Sequence, residues 1–221
     1  MLRRTLAMGV MLAAVLAIGC EQERQPPAPS DEPPREAAAP AVEHATATAA
    51  IGEPAPDFVL EDWSGRRIGL TGHAGDIVVL EWINPDCPFV QRHYKEGTMA
   101  RLAAKYADRG VAWLAINSTH YMGRGGNQRW AEQYELPYPI LEDRRGMVGR
   151  LYQAKTTPHV FIIDREGVLV YAGAIDNDPA GVKPPDERVN FVDRALTEMA
   201  AGQPVTIPES KPYGCSVKYT E

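Results

Sequence analysis

A chain of 221 residues with 44% hydrophobic content supplies one substantial core and not comfortably two. Its 23 basic and 29 acidic residues give a net charge of −6, with no basic stripe and no run of interleaved aromatics suited to gripping phosphates. That balance argues against nucleic acid as a partner.

Residues 1–20, MLRRTLAMGVMLAAVLAIGC, place Arg3 and Arg4 ahead of an apolar stretch too short to span a bilayer comfortably, with small residues before Cys20. This is the pattern of an export signal. Its ending, LAIGC, is similar to a bacterial lipobox, whose cysteine is diacylated and becomes the first residue of the mature chain. Ala17 stands where leucine would be the stronger choice, so an ordinary signal peptide cut elsewhere is the other reading. Either way the mature protein faces an oxidising compartment, where a dithiol can persist as a disulfide. The lipobox reading puts it in the cell envelope, periplasm-facing and held to a membrane through Cys20. Residues 21–50 are proline, alanine and charge with almost nothing to bury, the composition of a disordered tether. At roughly 3 Å per residue such a stiff segment holds a domain several tens of ångströms from its anchor. His44 lies there without a role.

From residue 51 apolar runs alternate with amphipathic segments, which predicts an α/β domain over 51–202. IVVLEWI (77–83) and VAWLAIN (111–117) are near-continuous apolar runs, as expected of strands covered on both faces. The segment between them spaces Phe89, Val90, Tyr94, Met99, Leu102, Ala103 and Tyr106 close to helical periodicity. Gly97 predicts a break, with Thr98 capping the second piece and Gly110 ending it. Strand, helix and strand form one βαβ unit. GGNQRWAEQYEL and GMVGRLYQA read as short helices, HVFIID and VLVYAGAI as a hairpin turning at 165–167, and ERVNFVDRALTEMAAG as a closing helix. The remainder, 203–221, approaches Cys215 through QPVTIPESKPYG and reads as a mobile arm.

Cys87 sits where the first apolar strand ends, directly before Pro88, and proline is favoured at the first helical position. A sulfur at a helix N-terminus meets unpaired N–H groups and the positive end of the helix dipole, which stabilise a thiolate. Arg92 and His93 could add to this, while Asp86 opposes it. A small buried cysteine is the competing reading, and position alone does not separate the two.

Four segments in order resemble the thioredoxin-like superfamily, in its redoxin branch of thiol-disulfide oxidoreductases and peroxiredoxins. GEPAPDFVLED (52–62) is similar to the redoxin opening, and VVLEWINPDCPFV (78–90) to the strand and active-site turn, with Cys87 as the first cysteine of C-x-x-C. KTTPHVFIID (155–164) is similar to the Thr-Pro segment, and REGVLVYAGAI (165–175) to the strand after it. The resemblance implies a central mixed β-sheet flanked by helices, here with a C-terminal extension. It implies that Pro158 is cis, that Thr157 offers its backbone to a bound substrate as a strand would, and that Pro88 and Trp82 help form that surface. It also implies that Glu81, six residues before Cys87, is a buried acid that moves protons to and from the thiols.

The chain departs from the pattern at Val90, where the second cysteine of C-x-x-C belongs. A lone attacking thiol forms a mixed disulfide and stays there unless another thiol arrives. Cys215 is the remaining candidate in the mature domain. As in the C-terminal arms of some peroxiredoxins, it would reach back to Cys87; a permanent staple or an intermolecular bridge are the other readings. A peroxiredoxin would carry threonine or serine at Asn84 and an arginine nearby, and none of Arg124, Arg129 or Arg150 is placed by a motif. Cys87 with His93 or His120 falls short of a copper-binding set, and His159 and His73 carry no motif, so neither metal nor cofactor is expected. The expected function is disulfide exchange on a disulfide-containing protein or a small thiol substrate, with an unidentified reductant resetting the pair. Peroxide reduction, or binding by a redox-inactive lipoprotein, are the alternatives.

Overall fold

The computed structural model describes residues 48–220, so the export signal, Cys20, His44 and the tether up to residue 47 lie outside the described residues. The fold begins earlier than the composition predicts, because Ala49 is already buried and its N–H donates to Leu151 O.

Among the described residues nine strands and five α-helices follow one another. They are β1 (Val59–Asp62), β2 (Arg67–Gly69), β3 (Ile77–Trp82), α1 (Pro88–Lys95), α2 (Thr98–Tyr106), β4 (Val111–Asn117), α3 (Arg124–Gln133) and β5 (Ile140–Glu142). Then come α4 (Met147–Leu151), β6 (Thr156–Thr157), β7 (His159–Ile163), β8 (Leu169–Gly173), α5 (Phe191–Ala200) and β9 (Cys215–Ser216). Seven strands make one mixed sheet in the order β2-β1-β5-β4-β3-β7-β8, with β3, β4 and β5 parallel and the other pairings antiparallel.

All six residues of β3 are buried, Glu81 included, as its near-continuous apolar run predicts for a strand covered on both faces. Side chains alternate across it. Val79 and Ile83 join Val90, Tyr94, Met99, Leu102 and Tyr106 of α1 and α2, while Val78, Leu80 and Trp82 join Phe161, Ile163 and Tyr152 on the opposite face. The helix pair breaks where expected, although Gly97 itself is the cap, in a left-handed conformation (φ 66°) that costs glycine little, and Thr98 is the first helical residue. The closing helix is shorter than its sequence pattern and starts at an Asn190 cap, whose side chain accepts from the Asp193 N–H at 2.8 Å.

The largest correction concerns residues 203–220, which form a packed strap rather than a mobile arm. Ala172 N–H donates to Pro208 O (2.9 Å) and Ser210 N–H to Ala172 O (3.2 Å), so the strap covers the free edge of β8. The Ser210 hydroxyl accepts from Ala174 N–H at 2.9 Å and pairs with Tyr171 at 2.7 Å. Farther on, β9 pairs antiparallel with β6, and Val217 N–H donates to Lys155 O. The strap ends against α4, where the Tyr219 hydroxyl donates to Ala154 O at 2.8 Å and the Arg150 guanidinium lies over the Tyr219 ring.

Candidate active site

The loop from β3 to α1 sets the position of Cys87. Asn84 accepts from Cys87 N–H through its carbonyl and from Asp86 N–H through its side chain, both at 2.9 Å, closing the turn that delivers the cysteine to the N-cap of α1. Pro88 takes the first helical position and is exposed. Cys87 itself is only 1% exposed, and its Sγ–H donates to Thr157 O at 2.9 Å.

Thr157 is joined to Pro158 by a cis peptide bond. In the β6–β9 pairing Thr157 stands opposite Cys215 and Thr156 opposite Ser216. Both cysteines are free thiols, and Cys215, opposite Thr157, is near enough to Cys87 for each to shift the other's ionisation. Cys87, the Thr157–Pro158 pair and Cys215 thus come together from three separate parts of the chain. Burial opposes ionisation of Cys87, but the neighbouring Cys215 thiol and the Val90 and Cys215 N–H groups carry its pKa below the ordinary thiol value. Cys215 moves the other way, to about 11, through burial and the neighbouring Cys87. Of the two thiols, Cys87 is therefore the one that ionises more readily.

Glu81 lies beneath α1 and is fully buried, with Oε2 accepting from Tyr94 and from Trp113, each at 3.3 Å, and Oε1 without a partner. Burial lifts its pKa to about 8 against the pull of those two donors. Trp82 does not reach the thiols. It points to the opposite face of the sheet, packs against Tyr152 and Phe161, and donates its indole N–H to Ser118 at 3.1 Å.

His93 does not serve as a cation near Cys87. Burial, then the Arg92 charge, push its pKa down to about 4, so the ring is neutral at pH 7. It belongs instead to a polar cluster that the sequence reading missed. Tyr213, two residues before Cys215, donates to Asp176 at 2.5 Å and lies 2.8 Å from His93 Nε2, while Arg92 donates to the Tyr213 hydroxyl and to Asp178 O. Arg188 bridges to Asp178 at 3.0 Å. The one signal for this cluster was an aromatic residue beside the tail cysteine.

Arg124 pairs with Glu61 and Glu142, Arg150 with the strap and the start of α4, and Arg129 is exposed; none of them hydrogen-bonds to the thiols. His159 accepts from Lys155 N–H and is held neutral by burial, and then by Lys155, with a pKa of about 4. His120 packs on Tyr121. Among the described residues no three His, Cys, Asp or Glu side chains are grouped to hold a metal ion.

Residues 51–172, just over half of the chain, match the AhpC/TSA family. A thiol-disulfide oxidoreductase ResA from Geobacillus thermodenitrificans is 34% identical over 118 residues, which cover 53% of this chain and 66% of that relative, just under two thirds of its length. The thioredoxin-like protein YneN of Bacillus subtilis is 31% identical over 53% of this chain and 68% of its own. Among solved structures, an uncharacterized conserved protein from Geobacillus kaustophilus superposes with a TM-score of 0.71 at 30% identity, over 77% of this chain and 93% of its own. The fold is thioredoxin-like.

Proposed function

The chain belongs to the AhpC/TSA family, and we propose that it is an extracytoplasmic thiol-disulfide oxidoreductase with Cys87 as nucleophile and Cys215 as resolving thiol. One observation carries the reading: the strap seats Cys215 opposite Thr157, the residue whose carbonyl accepts from the Cys87 thiol at 2.9 Å, so the two sulfurs are neighbours. A second cysteine three residues on is then unnecessary, and Val90 fills its place in the core.

The Cys87 thiolate attacks one sulfur of a substrate disulfide, forming a mixed disulfide and releasing the other sulfur as a thiolate that takes up a proton. Cys215 then loses its proton and attacks Cys87 Sγ, which expels the second substrate thiol and leaves a Cys87–Cys215 disulfide. Two electrons pass to the substrate, and an external dithiol returns them to the pair. Glu81, with a pKa near 8, is suited to exchanging protons with thiols at neutral pH. The lowered pKa of Cys87 disfavours a redox-inactive binding role. Peroxide reduction is disfavoured because Asn84, where a hydroxyl would orient the peroxide, is committed through its side-chain oxygen to the turn.

In Cys215→Ser a mixed disulfide should accumulate at Cys87 during insulin reduction, and Cys87→Ser should capture nothing. Turnover of Cys215→Ser at the parent rate with the same reductant would remove Cys215 from the mechanism. The reduced parent should also reduce insulin faster than it consumes hydrogen peroxide. The location rests on residues 1–20: Cys20→Ala should release the protein from membranes into the soluble fraction, and a parent already soluble would reject lipidation.

A further inference from the structure

The backbone edge beside the nucleophile is already occupied. Thr156 and Thr157 pair with Ser216 and Cys215, so the main-chain groups that would hold an incoming extended segment are used by the chain's own strap. The strap is tied down on both sides of that pairing. Tyr213 anchors it in the His93, Asp176 and Arg92 cluster, and Val217 N–H donates to Lys155 O at 3.2 Å. Between these anchors Gly214, at φ 123°, lies so close to β6 that a Cβ there would come within 2.1 Å of Thr157 O. Under this cover Cys87 is 1% exposed, and a protein disulfide has no route to it.

We propose that residues 213–217 are the resident occupant of the substrate edge, displaced by an extended, disulfide-bearing polypeptide segment that pairs with Thr156 and Thr157 in their place. This deepens the exchange reading above and rests on it. Substrate segment and strap are mutually exclusive on one edge. The substrate opens the site by displacing the strap, Cys87 attacks, and the returning strap both delivers Cys215 and evicts the product. Electron flow is unchanged: two electrons go to the substrate and a dithiol resets the pair. The substrate class follows from the edge itself, because a polypeptide can replace the strap's main-chain hydrogen bonds and a small disulfide cannot.

The test uses a Cys215→Ser background, so it reports shielding whether or not Cys215 resolves anything. Iodoacetamide labelling of Cys87, followed by mass mapping across pH, separates a change in access from a change in acidity, since only access moves the limiting rate at high pH. Adding Gly214→Val should raise that limiting rate at least tenfold, and Tyr213→Phe, which removes one hydroxyl, should raise it by a smaller factor. Capture of a synthetic peptide disulfide by Cys87 should accelerate in the same order. Equal limiting rates in all three proteins, or faster labelling with unchanged peptide capture, would overturn the proposal. Tyr213→Phe keeps the test decisive if Gly214→Val fails to fold by circular dichroism.

Discussion

Glu81 and His93 are both buried, and burial moves them in opposite directions because it disfavours whichever form is charged. For Glu81 the folded pKa rises from 4.5 to about 8. Between those values the folded chain keeps a proton that the unfolded chain has lost, so this residue's contribution to stability falls as pH rises through that window. His93 is lowered from 6.5 to about 4, so the unfolded chain binds the extra proton, and stability falls as pH drops through that lower window. Replacing Glu81 with glutamine should flatten the loss on the alkaline side. At about 1.4 kcal/mol per pKa unit, the variant should exceed the parent above pH 8 by a few kcal/mol in urea unfolding. Parallel pH profiles for the two proteins would contradict this assignment. The position of Glu81 was legible six residues before Cys87, but its proton affinity depends on Tyr94, Trp113 and the depth of the sheet, which no local pattern encodes.

At the scale of elements, the strap is held by glycines as much as by hydrogen bonds. Gly149 lies within α4, where alanine would be a better helix former by about 1 kcal/mol. A Cβ there would come within 2.5 Å of the Tyr219 hydroxyl and 2.8 Å of Ser118 Oγ. Gly149→Ala should therefore destabilise the protein by about 1–3 kcal/mol despite the gain in propensity. A urea midpoint higher than the parent's would show that Tyr219 does not need that space. β3, β4, the broken helix pair and the β7–β8 hairpin were legible because each is long enough to display a periodicity. β2 and β5 span three residues each and show none. The strap escaped for a different reason: its proline-rich, aperiodic sequence looks like a loop, and its order comes from the surface it lies on, namely the β8 edge, Thr157 and α4.

Across the whole molecule, one covalent path leads from the β8 edge, over the N-terminus of α1, to the far side of the sheet at α4. That path brings a cysteine 128 positions away in sequence back to Cys87. The motif resemblance named three of the site's residues, Cys87, Thr157 and Pro158, and Cys215 followed from the missing local partner at Val90. The Tyr213 cluster and the distance of Trp82 from the thiols were not legible, because both depend on which face of an element a side chain takes. The central claim is that Cys87 and Cys215 form one redox couple within one chain. Equilibrating the full protein in glutathione buffers of graded poise, with thiol mapping at each step, tests it directly. A single two-electron transition is expected, with an intrachain Cys87–Cys215 disulfide as its oxidised form. A titration in which Cys87 goes to a glutathione mixed disulfide or an interchain bond, with no Cys87–Cys215 disulfide at any poise, would contradict it.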